Sequence, residues 1–130
     1  MTHPNEDLTR QGIEAYARGD IEALRTQFFA PDIQWHFPGS NPFAGDHQGV
    51  DAVAGYFRNL GALSGGTHRL ELHDVIANDD FAVALHATRA ERAGKQLQIS
   101  AVQVFRIKDG KIAEAWTTHS DPVAFDEFWA

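Results

Sequence analysis

Seven histidines are spread through a chain that has no cysteine. His36, His86 and His119 lie in segments that read as strands. An imidazole titrates near neutrality, so each is a candidate general acid or base. Asp121 stands directly after the last such segment and would serve as a base if apolar surroundings raised its pKa. The same carboxylate has a structural use, because an aspartate before Pro122 is a common way to start a helix. Gln103 sits midway along "QISAVQVFRIK" with apolar neighbours on both sides. A buried amide left unpaired costs ~1–3 kcal/mol, so a protein group, a water or a ligand must answer it.

Other chemistries find little support. His68 and His73 in "HRLELH" are five positions apart and fall on opposite faces of a strand. A zinc site needs three or four ligands at one point, so no metal is expected, and no other cofactor. "GALSGG" lacks the lysine and the preceding strand of a phosphate-binding loop. No serine occupies a strand-to-helix elbow. The missing cysteine excludes disulfides, thiolate metal sites and a thiol nucleophile.

The whole composition narrows the partners. The chain has 130 residues and a net charge of −7 with histidine neutral. Nucleic acid and anionic membrane surfaces demand clustered lysine and arginine, so neither is an expected partner. A small apolar ligand is compatible with this charge. No apolar run approaches the ~18 residues of a membrane span. The start, "MTHPNEDLTR", has no basic-then-apolar signal pattern. A cytoplasmic location is expected.

The elements that would position these residues divide the chain in two. Leu8, Ile13, Tyr16 and Ala17 mark one helical face, broken at Arg18-Gly19-Asp20. Ile21, Leu24 and Phe28 mark a second helix, stopped by Pro31-Asp32. Ile33, Trp35 and Phe37 alternate as in a short strand. "HFPGSNPFAGDHQG", residues 36–49, reads as a loop that keeps unusual aromatic content. Val50, Val53, Ala54, Phe57 and Leu60 give a third helix. From His68 onward the chain reads as strands separated by "NDD", "AGK" and "DG", followed by a short helical turn from Asp121. Helices first and strands after predict an α+β fold, residues 1–130 forming one domain with helices on one face of an antiparallel sheet.

Two-residue turns at Ala93-Gly94 and Asp109-Gly110 fix a register. They place Ala84, His86, Thr88, Ile99, Ala101, Gln103, Phe105, Ile112, Trp116 and Thr118 on one face. Val83, Leu85, Val102, Val104, Ala113 and Ala115 fall on the other. The first face has apolar walls, small alanines and a few polar groups, as a ligand pocket requires. The second is aliphatic enough to expect a homodimer through the sheet.

Two stretches, "YARGDIEALRTQFFAPDIQWHFPGSNPFAGDHQGVDAVAGYF" and "VQVFRIKDGKIAEAWTTHSDP", resemble SnoaL-like domains of the nuclear transport factor 2-like superfamily. The resemblance implies a curved sheet wrapped on three helices, forming a cone with an apolar pocket bordered by the 36–49 loop. Relatives include ketosteroid isomerases, polyketide cyclases, epoxide hydrolases and non-catalytic modules. The catalytic aspartate of the isomerases is replaced by Phe37 and their acidic oxyanion donor by Gln103. Their oxyanion tyrosine has no match, because Tyr16 falls nearer the Gly-Asp turn. The acid–arginine–acid relay of the epoxide hydrolases is missing near His86–Thr88 and at Thr118, and His36 replaces their water-binding asparagine. Asp121 approximates the base of the cyclases. The resemblance thus implies acid–base catalysis without a cofactor, by isomerisation, cyclisation or hydration next to a carbonyl. Asp121 or a histidine, His36 among them, would take the proton, and Gln103 and His86 would hydrogen-bond the oxygen. Trp35, Phe37, Phe57, Trp116, Thr118 and His119 would pack the substrate. The alternative is a binding or dimerisation module of the same fold.

Overall fold

A computed structural model describes residues 2–130. Helix α1 spans Pro4–Ala17; the His3 ring accepts a bond from the Asn5 backbone N–H, and proline opens the first turn. It buries Thr9, Gly12 and Ala15, small residues that let it lie close to its neighbours. Asp20 then caps α2 (Ile21–Ala23) by accepting a bond from the Ala23 N–H at 3.0 Å. The helix loosens into a π-turn over Leu24–Phe28 and runs straight into β1 (Phe29–Phe37). Pro31 and Asp32, expected to end the second helix, lie inside β1. The pairing of β1 shifts register between Phe29 and Gln34, an irregularity that accommodates a proline with no N–H to give.

The 36–49 segment is less of a loop than its glycines and prolines suggest. Gly45–Gln48 forms β2, antiparallel to β1, with Trp35 opposite His47. Helix α3 (Val50–Leu63) follows and buries Val53, Ala54, Tyr56, Phe57 and Leu60. The strands β3 (Arg69–Ala77), β4 (Phe81–Arg92), β5 (Lys95–Lys108) and β6 (Lys111–His119) come next, and helix α4 (Pro122–Trp129) closes the chain. The sheet is curved, with order β2-β1-β6-β5-β4-β3. All its pairs are antiparallel except β1 with β6. Among the described residues no helix is long and apolar enough to cross a membrane.

Both tight turns form as expected, with Ala93, Gly94, Asp109 and Gly110 all at positive φ, as a two-residue hairpin of the right twist requires. The β4–β5 hairpin keeps its expected register, pairing Ala84 with Gln103 and His86 with Ala101. The β5–β6 hairpin does not. Ile107 pairs with Ile112, but Arg106 pairs with Glu114, so Ala113 is an extra residue in β6. A side-chain period of two means that one inserted residue turns over everything beyond it. Ala115, Thr117 and His119 therefore face the helices. Trp116 and Thr118, expected on that inner face, point outward instead.

The interior is built from rings. Trp35 stacks on Phe37 at 5.3 Å and meets Phe57 and Phe105 edge-on at 5.1 and 5.6 Å. Phe37 stacks on Tyr56 at 3.7 Å. The inner side of the sheet, α1 and α3 thus share one aromatic core.

Candidate functional site

Rows of inward side chains cross the sheet at right angles to its strands. One row runs Thr117, Gln103, Ala84 over β6, β5 and β4. The next runs His119, Ala101, His86. His86 and His119 therefore flank a single alanine, their Cα atoms two strand spacings apart, roughly 10 Å. Thr88 follows His86 on the same face, with its hydroxyl 3.4 Å from Nδ1. The result is a polar strip laid across an apolar wall, with buried alanines between its polar side chains.

Several groups in and around this strip lack protein partners. Among the described residues the buried side-chain atoms without a hydrogen bond are His86 Nε2, His119 Nδ1 and Trp129 Nε1. His86 is 2% exposed and Trp129 1%. The Gln103 amide, also buried, makes no hydrogen bond with another described protein group. It lines a cavity of about 40 Å³ with Tyr16, Phe57, Leu70 and Phe105. By contrast Trp35 Nε1 is satisfied, donating to Thr117 Oγ1 at 2.9 Å.

Burial sets the charge states. Loss of water pushes His68 and His119 down to about 4, helped in both by the proximity of His86. Burial likewise lowers His86, partly opposed by a bond with the Ala87 backbone. All three are neutral at pH 7. Burial raises the Tyr16 hydroxyl far above its usual range, so it stays protonated. It lies 2.5 Å from His68 Nδ1. Either the phenol donates to Nδ1 or an Nδ1–H donates to the phenol oxygen, so the pair stays hydrogen-bonded in both His68 tautomers.

The end of the cone is shut by α4 and the 38–44 turn. Asp126 of α4 accepts bonds from the Ser40 N–H at 3.0 Å and from Asn41 Nδ2 at 2.7 Å. Gly39 is required at this junction: its φ is +104, and a Cβ there would stand 2.3 Å from Asp126 Oδ1. Phe43 meets Tyr56 and Trp129 edge-on, and Phe125 stacks on His119 at 3.8 Å. The aromatic residues of the 36–49 segment therefore roof the cone.

A SnoaL-like domain profile matches residues 9–115. The chain belongs to the SnoaL-like family. It is 38% identical over 125 residues to the uncharacterized protein Rv0034 of Mycobacterium tuberculosis, covering 95% of each chain. It is 35% identical to Bal32a, from a soil-derived mobile gene cassette, with a TM-score of 0.94 over 98% of this chain and 97% of that one. It shares the fold of TerC, solved co-crystallised with polyporic acid, at 22% identity and a TM-score of 0.84 over 97% and 98% of the two chains.

Within this SnoaL-like cone the expected site residues separate into three groups. Gln103, His86, His119, Trp35, Phe37 and Phe57 all face the interior. His36, Trp116 and Thr118 lie on the outer face of the sheet, for the two reasons of strand alternation in β1 and the extra residue in β6. His36 is held there between Asp46 and Glu114, each 2.7 Å away, and stacks on Trp116 at 5.6 Å. Both its ring nitrogens face carboxylates, so both must carry protons, and these bonds raise its pKa. Asp121 is exposed, and its Oδ1 accepts a bond from the Ala124 N–H at 3.0 Å as the α4 cap. Its carboxylate serves the helix and does not enter the cone.

Tyr16, His68, Thr88, Thr117 and Trp129 join the interior without having been singled out as site residues. Tyr16, near the Gly-Asp turn in sequence, is carried by α1 to the cavity wall. A signal was available for Tyr16 in its helical spacing from Thr9 and Gly12. None was available for Trp129, whose place depends on how α4 folds back.

Proposed function

We propose that this protein binds a small, mainly apolar carbonyl compound inside the cone and moves a proton next to that carbonyl without a cofactor. The observation that carries the reading is the pair of neutral imidazoles, the buried His86 and the half-buried His119, with the buried atoms His86 Nε2 and His119 Nδ1 unpartnered across Ala101. A neutral imidazole with an unprotonated nitrogen accepts a proton from carbon. In its other tautomer it donates to oxygen. Burial lowers the pKa of both and so favours the neutral, accepting form at pH 7. Gln103, whose amide N–H groups are not used by the protein, would stabilise the developing enolate oxygen. Trp35, Phe57 and Phe105 exclude water from that charge. Polyketide cyclase-like fold neighbours, and one solved with polyporic acid, support the coarser part of this reading, a small-molecule-binding or cyclase-type role. The base is a histidine in this scheme, because Asp121 and His36 lie outside the cone.

Hydrogen–deuterium exchange at the α-carbon of 2-tetralone, followed by proton NMR in D2O, tests proton transfer without knowledge of the natural substrate. Wild-type protein accelerates the exchange above buffer, and His86→Phe or His119→Phe loses the acceleration while remaining folded. Equal exchange rates in buffer, wild type and both variants would make the fold a binding module.

A homodimer forms part of the same proposal. Val83, Leu85, Val102 and Val104 line the outer sheet face and are only half-buried in one chain. A second copy over this face would remove their apolar surface from water. Sedimentation at micromolar concentration gives twice the chain mass on this reading; a monomer refutes it.

A further inference from the structure

A second opening, outside the polar strip, leads toward the same interior. A cleft of about 360 Å³ lies between the C-terminal end of α1, α3 and the start of β3. Tyr16, Phe57 and Leu70 line both this cleft and the 40 Å³ inner cavity. One layer of side chains therefore separates outside from inside, and the Tyr16–His68 bond is part of that layer.

The cleft has an unusual charge for this protein. The chain has 18 acidic residues against 11 lysines and arginines. Yet the cleft is lined by Arg58 and Arg69 and by no carboxylate. Other surface clefts of similar size mix the signs, with Glu91 beside Arg92 and Lys95 in one and Asp32 and Asp109 beside Arg106, Lys108 and Lys111 in another. Arg69 donates to the carbonyls of Gly66 and His68 and makes no ion pair among the described residues. Arg58 reaches only Glu22, at 4.0 Å. That carboxylate is already engaged by Arg25 at 2.7 and 3.1 Å. Two exposed guanidiniums are thus available at one rim, above an apolar wall of Ile21, Phe57 and Leu70.

We infer that this cleft is the mouth of the cone and that it selects molecules with a carboxylate at one end and an apolar ring system at the other. The guanidiniums hold the carboxylate at the rim through charge-assisted bonds. The rings lie along the apolar wall with their leading edge at Tyr16, and displacement of Tyr16 and Leu70 opens the way to Gln103. The inference rests on the reading of the cone as a ligand pocket, and it adds the charge class of the ligand and its path.

The test uses two probes of one shape, 2-naphthoate and 2-naphthamide, titrated by calorimetry into the full chain. Wild type binds the carboxylate at least about fivefold more tightly than the amide, as a charge-assisted bond requires, and added salt shrinks the difference. The double variant Arg58→Gln, Arg69→Gln binds both probes alike. Gly61→Leu weakens both, because a Cβ at Gly61 meets nothing within 4 Å and the added side chain occupies open space at the lining. Gly61 lies in an ordinary helical conformation, so this variant keeps its thermal midpoint. Equal binding of the two probes by wild type overturns the inference. So does a preference that survives the double variant, binding by Gly61→Leu at wild-type strength, or no binding of either probe. Failure of tetralone exchange with selective naphthoate binding intact removes the catalytic reading and leaves the mouth. The reverse result removes the mouth alone.

Discussion

Acidification from pH 7 to pH 5 should loosen this protein well before its carboxylates protonate. His68 and His119 have folded pKa values of about 4 against about 6.5 for an unfolded imidazole. A depressed histidine contributes stability that is present above the unfolded value and is lost as pH falls toward the folded one. Linkage converts this gap to about 2 kcal/mol lost per histidine by pH 5 and about 3 by pH 4. Because the two sites and His86 repel one another once charged, their losses are not independent. A total of about 3–4 kcal/mol at pH 5 is a large share of a domain's stability. The raised pKa of His36 acts in the opposite sense. Its contribution is complete below the unfolded pKa and fades as pH rises through the folded one. Urea unfolding at a series of pH values measures the sum, and ring-proton NMR titration assigns it. His119→Gln should flatten the acid limb by about 2 kcal/mol, and His36→Gln should steepen it. A urea midpoint unchanged between pH 7 and 5, or His119 titrating near 6.5, would refute the reading that burial holds these imidazoles neutral.

Gln103→Leu should leave the urea midpoint unchanged or raise it, since no described protein group loses a partner, while tetralone exchange falls by about tenfold for the loss of an oxyanion donor worth ~1.4 kcal/mol. Asp121→Ala should cost about 1 kcal/mol of stability by removing the α4 cap and leave exchange per folded molecule unchanged, which separates a cap from a base. His36→Gln should cost about 1 kcal/mol at pH 6, where the imidazolium joins Asp46 to Glu114, and progressively less as pH rises past its folded pKa; denaturant midpoints at pH 6 and 9 check both the size and the sign.

Local chemistry made most of the fold legible. Asp20 and Asp121 announce helix starts because a short carboxylate bonds the next turn wherever the chain places it. Asp109-Gly110 and Ala93-Gly94 announce hairpins because their backbone conformations are set by two residues alone. Alternation placed Gln103 and His86 on one face, since β4 and β5 pair without interruption. The motif order around Gly19-Asp20, Pro31-Asp32 and the 36–49 segment identified the family. What failed depended on contacts between distant residues. Ala113 becomes an extra residue only because β6 must pair with β5 on one side and, in parallel, with β1 on the other, and that insertion sent Trp116 and Thr118 outward and brought Thr117 and His119 in. Residues 45–48 become a strand because β1 offers them an edge. Tyr16 joins His68, 52 positions away, only once α1 lies against the start of β3. Sequence determined most of the helices and strands, residues 45–48 and the Pro31-Asp32 boundary apart, and which residues can do acid–base chemistry, since these follow from side chains and their near neighbours. The tertiary structure alone decided which of those residues share one interior, because that depends on register and on packing across the whole sheet.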